Sequence, residues 1–284
     1  MTKHLTFDIL KNKTVKQYYF LIGVPRTGNT LLSSILNQNP DVKVSAYSFL
    51  DQHLYQTALF SYSEKYKNFP DSKSLGNLIN GSFDCYYKDW DAKYIIDRGE
   101  WGTPSNIHLL QQIIKGDIKV ICTVRDIVEI IASFIKVSPD RWRKELKNEI
   151  QSNLRYNQSY KSELELLCEV IMRPTGQIET ALFGLNNLFY NHRDILHIVE
   201  YNDLVDNTEQ TIRGIYDFLN IEYYPHKFNY INQFEVNGVK YDDSIWGSDL
   251  HKLNKKIKHS NYKVEDILTP ELISKYSNME FWRN

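Results

Sequence analysis

Cysteine is scarce: the 284 residues contain three, Cys85, Cys122 and Cys168. They stand far apart, are odd in number and form no CxxC pair. That excludes a disulfide framework and a cysteine-based zinc site, and it fits a reducing compartment. Neither sign of charge is in excess, since 34 basic against 35 acidic side chains leave a net charge of −1. Such a chain has no general field for nucleic acid or an anionic membrane, so any anion site in it must be local. No run approaches the roughly 20 apolar residues that span a bilayer. The opening MTKHLTFDILKNKTVKQYYF lacks the apolar core and small residues of a secretory signal. There is no repeat, no low-complexity tract and no Pro/Gly/Ser linker long enough to separate domains. These absences predict one cytoplasmic domain over residues 1–284, with no membrane span, no nucleic-acid partner and no metal. What is plentiful is aromatic: 20 Tyr, 13 Phe and 5 Trp, 13% of the chain.

Four apolar runs read as buried parallel strands: 18–24 (YYFLIGV), 94–96, 118–124 (IKVICTV) and 195–199 (ILHIV). Each is almost continuously apolar, as expected where both faces are covered. Helical sequence follows at 30–37, stopped by Asn39-Pro40, and at 127–137, stopped by Ser138-Pro139. Trp142, Leu146, Ile150 and Leu154 recur every four residues and predict an amphipathic helix. The stretch NTEQTIRGIYDFLNI predicts another, capped by Asp206 or Asn207. The fold class expected is α/β: a P-loop-like parallel sheet flanked by helices on both faces, in a single domain. Segments 46–90 and 228–259 are aromatic and irregular, and are long enough to cover a substrate.

The first strand runs into Gly23-Val24-Pro25-Arg26-Thr27-Gly28-Asn29-Thr30 and then a helix. A strand, a glycine turn and a helix N-terminus present free backbone N–H groups to an anion. The spacing G-x4-G-x-T is that of a Walker A loop, but Asn29 stands where the lysine belongs. That lysine meets the β/γ-phosphates of a nucleoside triphosphate, so Asn29 argues against a kinase or NTPase. Arg26 puts a rigid fork of donors in the loop instead, suited to a phosphate or phosphosulfate. The third strand ends in Arg125-Asp126, and Ser133 lies eight residues beyond Arg125 on the next helix. An arginine at the carboxyl end of a buried strand faces the crevice where open α/β sheets bind ligands. The plainer alternatives are an ordinary βα turn, an Arg–Asp helix cap with Ser133 as packing, and a packed Tyr201 after the fourth strand.

Residues 25–32 (PRTGNTLL) resemble the phosphosulfate-binding loop of sulfotransferases that use 3′-phosphoadenosine-5′-phosphosulfate (PAPS), and the continuation through Asn39-Pro40-Asp41-Val42 most resembles the bacterial and tyrosylprotein-sulfotransferase-like branches. The arginine–aspartate strand end with a serine eight residues on resembles the family's 3′-phosphate motif. The segment 200–205 (EYNDLV) is similar to its Y-x-D-L segment, and 246–251 (WGSDLH) to a late segment ending in L-H. The resemblance is carried by motifs scattered over 18–260. It implies that Arg26, Thr27, Gly28, Asn29 and Thr30 hold the phosphosulfate end of PAPS, that Arg125 and Ser133 hold the 3′-phosphate, and that Tyr201 lies near the nucleotide. It implies sulfuryl transfer to a hydroxyl or amine, with adenosine 3′,5′-bisphosphate as product.

Sulfuryl transfer needs cations at the transferred group and a base for the acceptor. Arg26 is the first cation, and Arg98 falls nearest to the family's strand-end lysine. Glu100 occupies the offset of the catalytic histidine in cytosolic members, which makes it the candidate base. Asp51 and His53 are alternatives, and Asp97 is expected to orient Arg26 or Arg98. The chain departs from the family in two places. Tyr47 stands where the tyrosylprotein branch keeps its catalytic glutamate, and the arginine–lysine–glycine motif of cytosolic members is missing. The basic run 252–259 is either a solvated face or a cover for the nucleotide. Rival readings are a P-loop kinase or NTPase and a non-catalytic PAPS-binding module. The acceptor and the oligomeric state are not encoded in any motif.

Overall fold

The computed structural model describes residues 16–138, 144, 162–174, 176–246 and 249–283. The helix expected from Trp142, Leu146, Ile150 and Leu154 lies outside these residues. The apolar runs form strands β1 (Gln17–Gly23), β3 (Tyr94–Arg98), β4 (Val120–Val124) and β5 (Leu196–Glu200), joined by a fifth, β2 (Val42–Val44). They make one sheet in the order β2-β3-β1-β4-β5, with every pairing parallel. β2 is only three residues long, too short for periodicity to mark it in the sequence.

Alternation along the strands feeds two cores, one on each face. Phe20 and Ile22 of β1 join Ile95, Val120 and Cys122 in one. Tyr19 and Leu21 join Ile96, Ile121 and Val199 in the other. Helix α1 (Asn29–Leu36) covers the second face with Leu32, Ile35 and Leu36. The expectation of an irregular stretch at 46–90 is corrected. It contains four short helices, α2 (Leu50–Phe60), α3 (Glu64–Asn68), α4 (Ser72–Asn80) and α5 (Ser82–Tyr86). Two of them are nucleated by side-chain caps, with Ser63 accepting from the Tyr66 amide and Asp71 from that of Ser74.

Helices α6 (Pro104–Ile113), α7 (Ile127–Val137), α8 (Glu163–Ile171) and α9 (Gln177–Asn191) pack on the first face. Asp126 caps α7 by accepting from the Val128 and Glu129 amides. α9 approaches the turn after β3 closely: a Cβ on Gly102 would sit 2.7 Å from the Gly184 carbonyl oxygen. Asn187 of α9 donates to the Gly102 carbonyl at 2.9 Å and fixes that turn. After β5 come α10 (Tyr201–Asp206) and α11 (Thr208–Leu219), the latter returning Ile212, Ile215 and Leu219 to the second core. Asn207 occupies the cap position of α11 without a side-chain cap bond. In the 228–259 segment, β6 (Glu235–Val236) and β7 (Val239–Lys240) form a small antiparallel hairpin. Asn237 and Gly238 turn it with φ of 51° and 78°, the conformation a type I′ turn demands. α12 (Pro270–Tyr276) closes the first core.

The register brings the motifs together. Leu21 pairs with Arg98, Gly23 with Thr123, and Val124 with Glu200, so the carboxyl ends of β3, β1, β4 and β5 line one edge of the sheet. β3 and β4 flank β1 on opposite sides, which makes the β1 end the point where winding reverses and a crevice opens. Among the described residues no helix is long and apolar enough to cross a membrane, and no cluster of three or more His, Cys, Asp or Glu is placed to hold a metal ion.

Candidate active site

The crevice is a cavity of about 880 Å³ at that edge. Its floor is the 23–30 loop. Gly23 is required there, because a Cβ would lie 2.3 Å from Thr123 Oγ1 and 2.5 Å from Asn29 Oδ1. Arg26 and Gly28 turn the loop with φ of 71° and 89°. Such a turn aims successive backbone N–H groups into one concavity. Among the described residues, the amides of 27–31 have no protein acceptor, as the first turn of α1 leaves them.

The loop's polar side chains point inward. Thr27 is fully buried, donates to the Val24 carbonyl at 2.6 Å and meets Thr123 Oγ1 at 2.6 Å. Asn29, 4% exposed, accepts from the Thr123 hydroxyl at 2.8 Å. Both side chains therefore staple the loop to β4, and what these two residues offer an anion is their backbone. Asn29 in the lysine position supplies no charge. Thr30 lies on the cavity wall at the start of α1.

Charge comes from arginines. Arg26 donates through Nε to Ser133 Oγ at 3.1 Å and through Nη1 to the Leu250 carbonyl at 3.0 Å. Burial presses its pKa down, with Arg125 adding to the effect and the Tyr262 and Tyr201 hydroxyls and Asp243 opposing it. Arg98 donates to Tyr241 Oη at 2.8 Å. Among the described residues neither Arg26 nor Arg98 has a carboxylate within ion-pair distance. Arg125, 6% exposed, does: its Nε meets Glu129 Oε2 at 2.6 Å. The Arg125 guanidinium also lies 4.2 Å from the Tyr201 ring centroid and donates to the Arg26 carbonyl at 3.5 Å. Tyr201 itself walls Gly28, where a Cβ would sit 3.1 Å from the ring. The sequence pairs Ser133 with Arg125; the direct partner of Ser133 is Arg26.

At the end of β3, Glu100 lines the cavity. Its amide donates to Asp51 Oδ2 at 2.7 Å and its carbonyl accepts from Asn106 at 2.7 Å. Burial and the Asp51 carboxylate push the Glu100 carboxyl above its ordinary pKa, against a hydrogen bond from Tyr47. Asp51 is fully buried beneath this turn, and His53 is exposed. Neither lines the cavity, so the two alternative bases are not brought to it. Asp97 reaches neither arginine, contrary to expectation. It is fully buried and accepts from Ser48, Tyr87 and Trp101. It faces the core because strand alternation turns residue 97 away from the side that carries Arg98.

Several features went unforeseen. The His251 imidazole on the cavity wall meets the Asp243 carboxylate at 2.7 Å, and Tyr241 carries Arg98. A late histidine was visible in the sequence, but nothing there joined it to Asp243. The aromatic segments divide: Phe83 and Tyr87 are core, Tyr47 and Phe49 line the cavity, and Tyr62 and Phe69 are 73% and 81% exposed. Of the basic run, Lys252, Lys256 and Lys258 stand on the cavity rim.

A sequence model of the sulfotransferase family matches residues 19–225. No curated protein sequence matches. Among solved structures, the fold is similar to that of a sulfotransferase domain from the curacin biosynthetic pathway, with 15% identity over 92% of this chain and 97% of that one and a TM-score of 0.52. The sulfotransferase domain of the Synechococcus PCC 7002 olefin synthase aligns at 17% identity over 94% and 86%, with a TM-score of 0.42.

Proposed function

The chain belongs to the sulfotransferase family, and from that premise we propose that it moves the sulfuryl group of PAPS to a hydroxyl or amine acceptor by in-line displacement, releasing adenosine 3′,5′-bisphosphate. The observation that carries this reading is the pair Arg26 and Arg98, two guanidiniums in one cavity without a carboxylate partner among the described residues, beside loop amides that have no acceptor. An anion with several oxygens satisfies all of these donors at once.

In this reading PAPS supplies the activated sulfuryl group and the protein supplies position and charge. Arg26 and the amides of residues 27–30 hold the phosphosulfate end. Arg125 and Ser133 bind the 3′-phosphate, with Tyr201 stacking under the Arg125 guanidinium. Arg98, steadied by Tyr241, meets the charge that develops on the transferred group. Glu100 accepts the acceptor's proton, and burial with the Asp51 carboxylate makes it a stronger base than an exposed glutamate. The acceptor enters past Tyr47 and Phe49. Three free thiols favour the cytoplasm as the compartment.

Calorimetric titration tests the reading. Adenosine 3′,5′-bisphosphate is expected to bind with micromolar affinity and Arg125→Ala to abolish it, which would justify an acceptor screen with PAPS. Binding of ATP–Mg²⁺ with no preference for the 3′-phosphate would overturn it in favour of a P-loop NTPase.

A further inference from the structure

His251 and Asp243 belong to neither anion motif, yet they pair on the cavity wall. One carboxylate holds the histidine twice: Asp243 Oδ1 lies 2.7 Å from Nδ1, and Oδ2 accepts the His251 amide at 2.8 Å. The ring lies flat on Tyr241, with centroids 3.7 Å apart and planes 5° from parallel. These contacts set the plane and the orientation of the ring. With Nδ1–H committed to Asp243, the lone pair belongs to Nε2, and no described residue bonds to it. The same wall carries both arginines. Tyr241 accepts from Arg98, and Leu250, the residue before the histidine, gives its carbonyl to Arg26.

The charges that face His251 come from three elements. Asp243 lies on its own segment, Arg98 at the end of β3 and Arg26 in the phosphate loop. Nearby Asp249 and Lys252 pair with each other, and Tyr241 is a neutral phenol. Burial and the two arginines hold the imidazole below its ordinary pKa, with Asp243 opposing them. An anion settling against Arg26 and Arg98 cancels their repulsion, and the balance then passes to Asp243 and to the anion itself.

We infer that His251, aimed by Asp243, is a third ligand of the phosphosulfate-end anion, and that it takes up one proton from solvent at Nε2 as the anion binds. The imidazolium then donates Nε2–H to the anion alongside the two guanidiniums, and the proton returns to solvent when the product leaves. This rests on the nucleotide reading given above.

The test is titration of the protein with adenosine 3′,5′-bisphosphate at pH 7.5 in two buffers of different ionisation enthalpy, which counts protons exchanged on binding. At that pH the phosphates are already largely dianionic, with a second pKa of about 6, so they take up no proton themselves. The wild type is expected to take up more than about half a proton per nucleotide, and its affinity to fall by up to about tenfold per pH unit above neutrality. His251→Gln is expected to bind roughly 10–100-fold more weakly, with the uptake gone. Asp243→Asn should lower the uptake while leaving the histidine in place. Binding with no proton uptake in the wild type, or uptake that persists in His251→Gln, overturns this role and leaves the nucleotide reading intact. Absence of bisphosphate binding in the wild type overturns both.

Discussion

The Arg26 guanidinium donates to the Ser133 hydroxyl at 3.1 Å, joining the 23–30 loop after β1 to the helix after β4. Arg125 closes the same unit by donating to the Arg26 carbonyl. The two anion motifs, separate in sequence, are thus one hydrogen-bonded assembly at the sheet edge. A parallel sheet makes this natural, because neighbouring strands end side by side and each hands its next residues to the same crevice.

Ser133→Ala tests that coupling. A serine that only packed would leave nucleotide binding and turnover unchanged. As the partner of Arg26 and a ligand of the 3′-phosphate, its loss should weaken adenosine 3′,5′-bisphosphate by roughly 3–10-fold, the net range of one typical hydrogen bond. It should also lower kcat by about tenfold, because the loop guanidinium loses its orientation. Calorimetry and steady-state kinetics with PAPS read the two effects separately.

Glu100→Gln is expected to lower kcat by roughly 10²–10⁴-fold while bisphosphate affinity stays within about twofold. A change of only a few-fold in kcat sinks Glu100 as the base. The pH profile carries a second signature. A base must be ionised to work, and burial and Asp51 raise the Glu100 pKa. The acid limb of kcat should therefore fall at a pH above the ordinary glutamate range near 4.3, and it should vanish in the glutamine variant.

The four longer strands were legible because parallel strands covered on both faces must be continuously apolar, and the positions of the 23–30 loop and Arg125 at one cavity were legible because they abut those strands. β2 was not, since Val42–Val44 is shorter than any detectable period. The β6–β7 hairpin did carry a signal, Asn237-Gly238, that short flanking strands obscured. Within the site, residue types could be named but not directions. Asn29 stands in a ligand position and turns its carboxamide into the fold, and Asp97 stands beside Arg98 and faces the core. Asp243, at the start of the 3-10 turn Asp243–Trp246, meets His251 eight residues on, and no pattern in the sequence joins the two.

Tyr241 links Arg98 to the Ala46 carbonyl, accepting from the first at 2.8 Å and donating to the second at 3.0 Å. Tyr241→Phe keeps the ring against His251 and removes both bonds. Arg98 then loses its anchor, and kcat should fall by roughly 5–10-fold. The bisphosphate product keeps the 5′-phosphate but lacks the sulfuryl group, so Arg98 meets only part of the charge it meets in PAPS, and affinity should fall by less than kcat does. A loss of affinity as large as the loss in kcat would place Arg98 on the nucleotide instead.

Asp97 offers a stability prediction independent of any ligand. It is fully buried, and loss of solvation raises its pKa to about 6 despite the hydrogen bonds from Tyr87, Trp101 and Ser48. In the unfolded chain an aspartate titrates near 3.9. Between these values the folded state binds the proton and the unfolded state does not, so stability falls as pH rises through this window. The contribution is fully present below about pH 4 and lost above about 6, with an upper size of roughly 3 kcal/mol for a shift of about 2 units. Asp97→Asn is neutral throughout and cannot follow this change. Urea unfolding at pH 4.5 and 7 should show the wild type losing stability relative to the asparagine variant as pH rises. Parallel behaviour of the two proteins would mean that the three hydrogen bonds outweigh desolvation and keep the carboxylate ionised in the core.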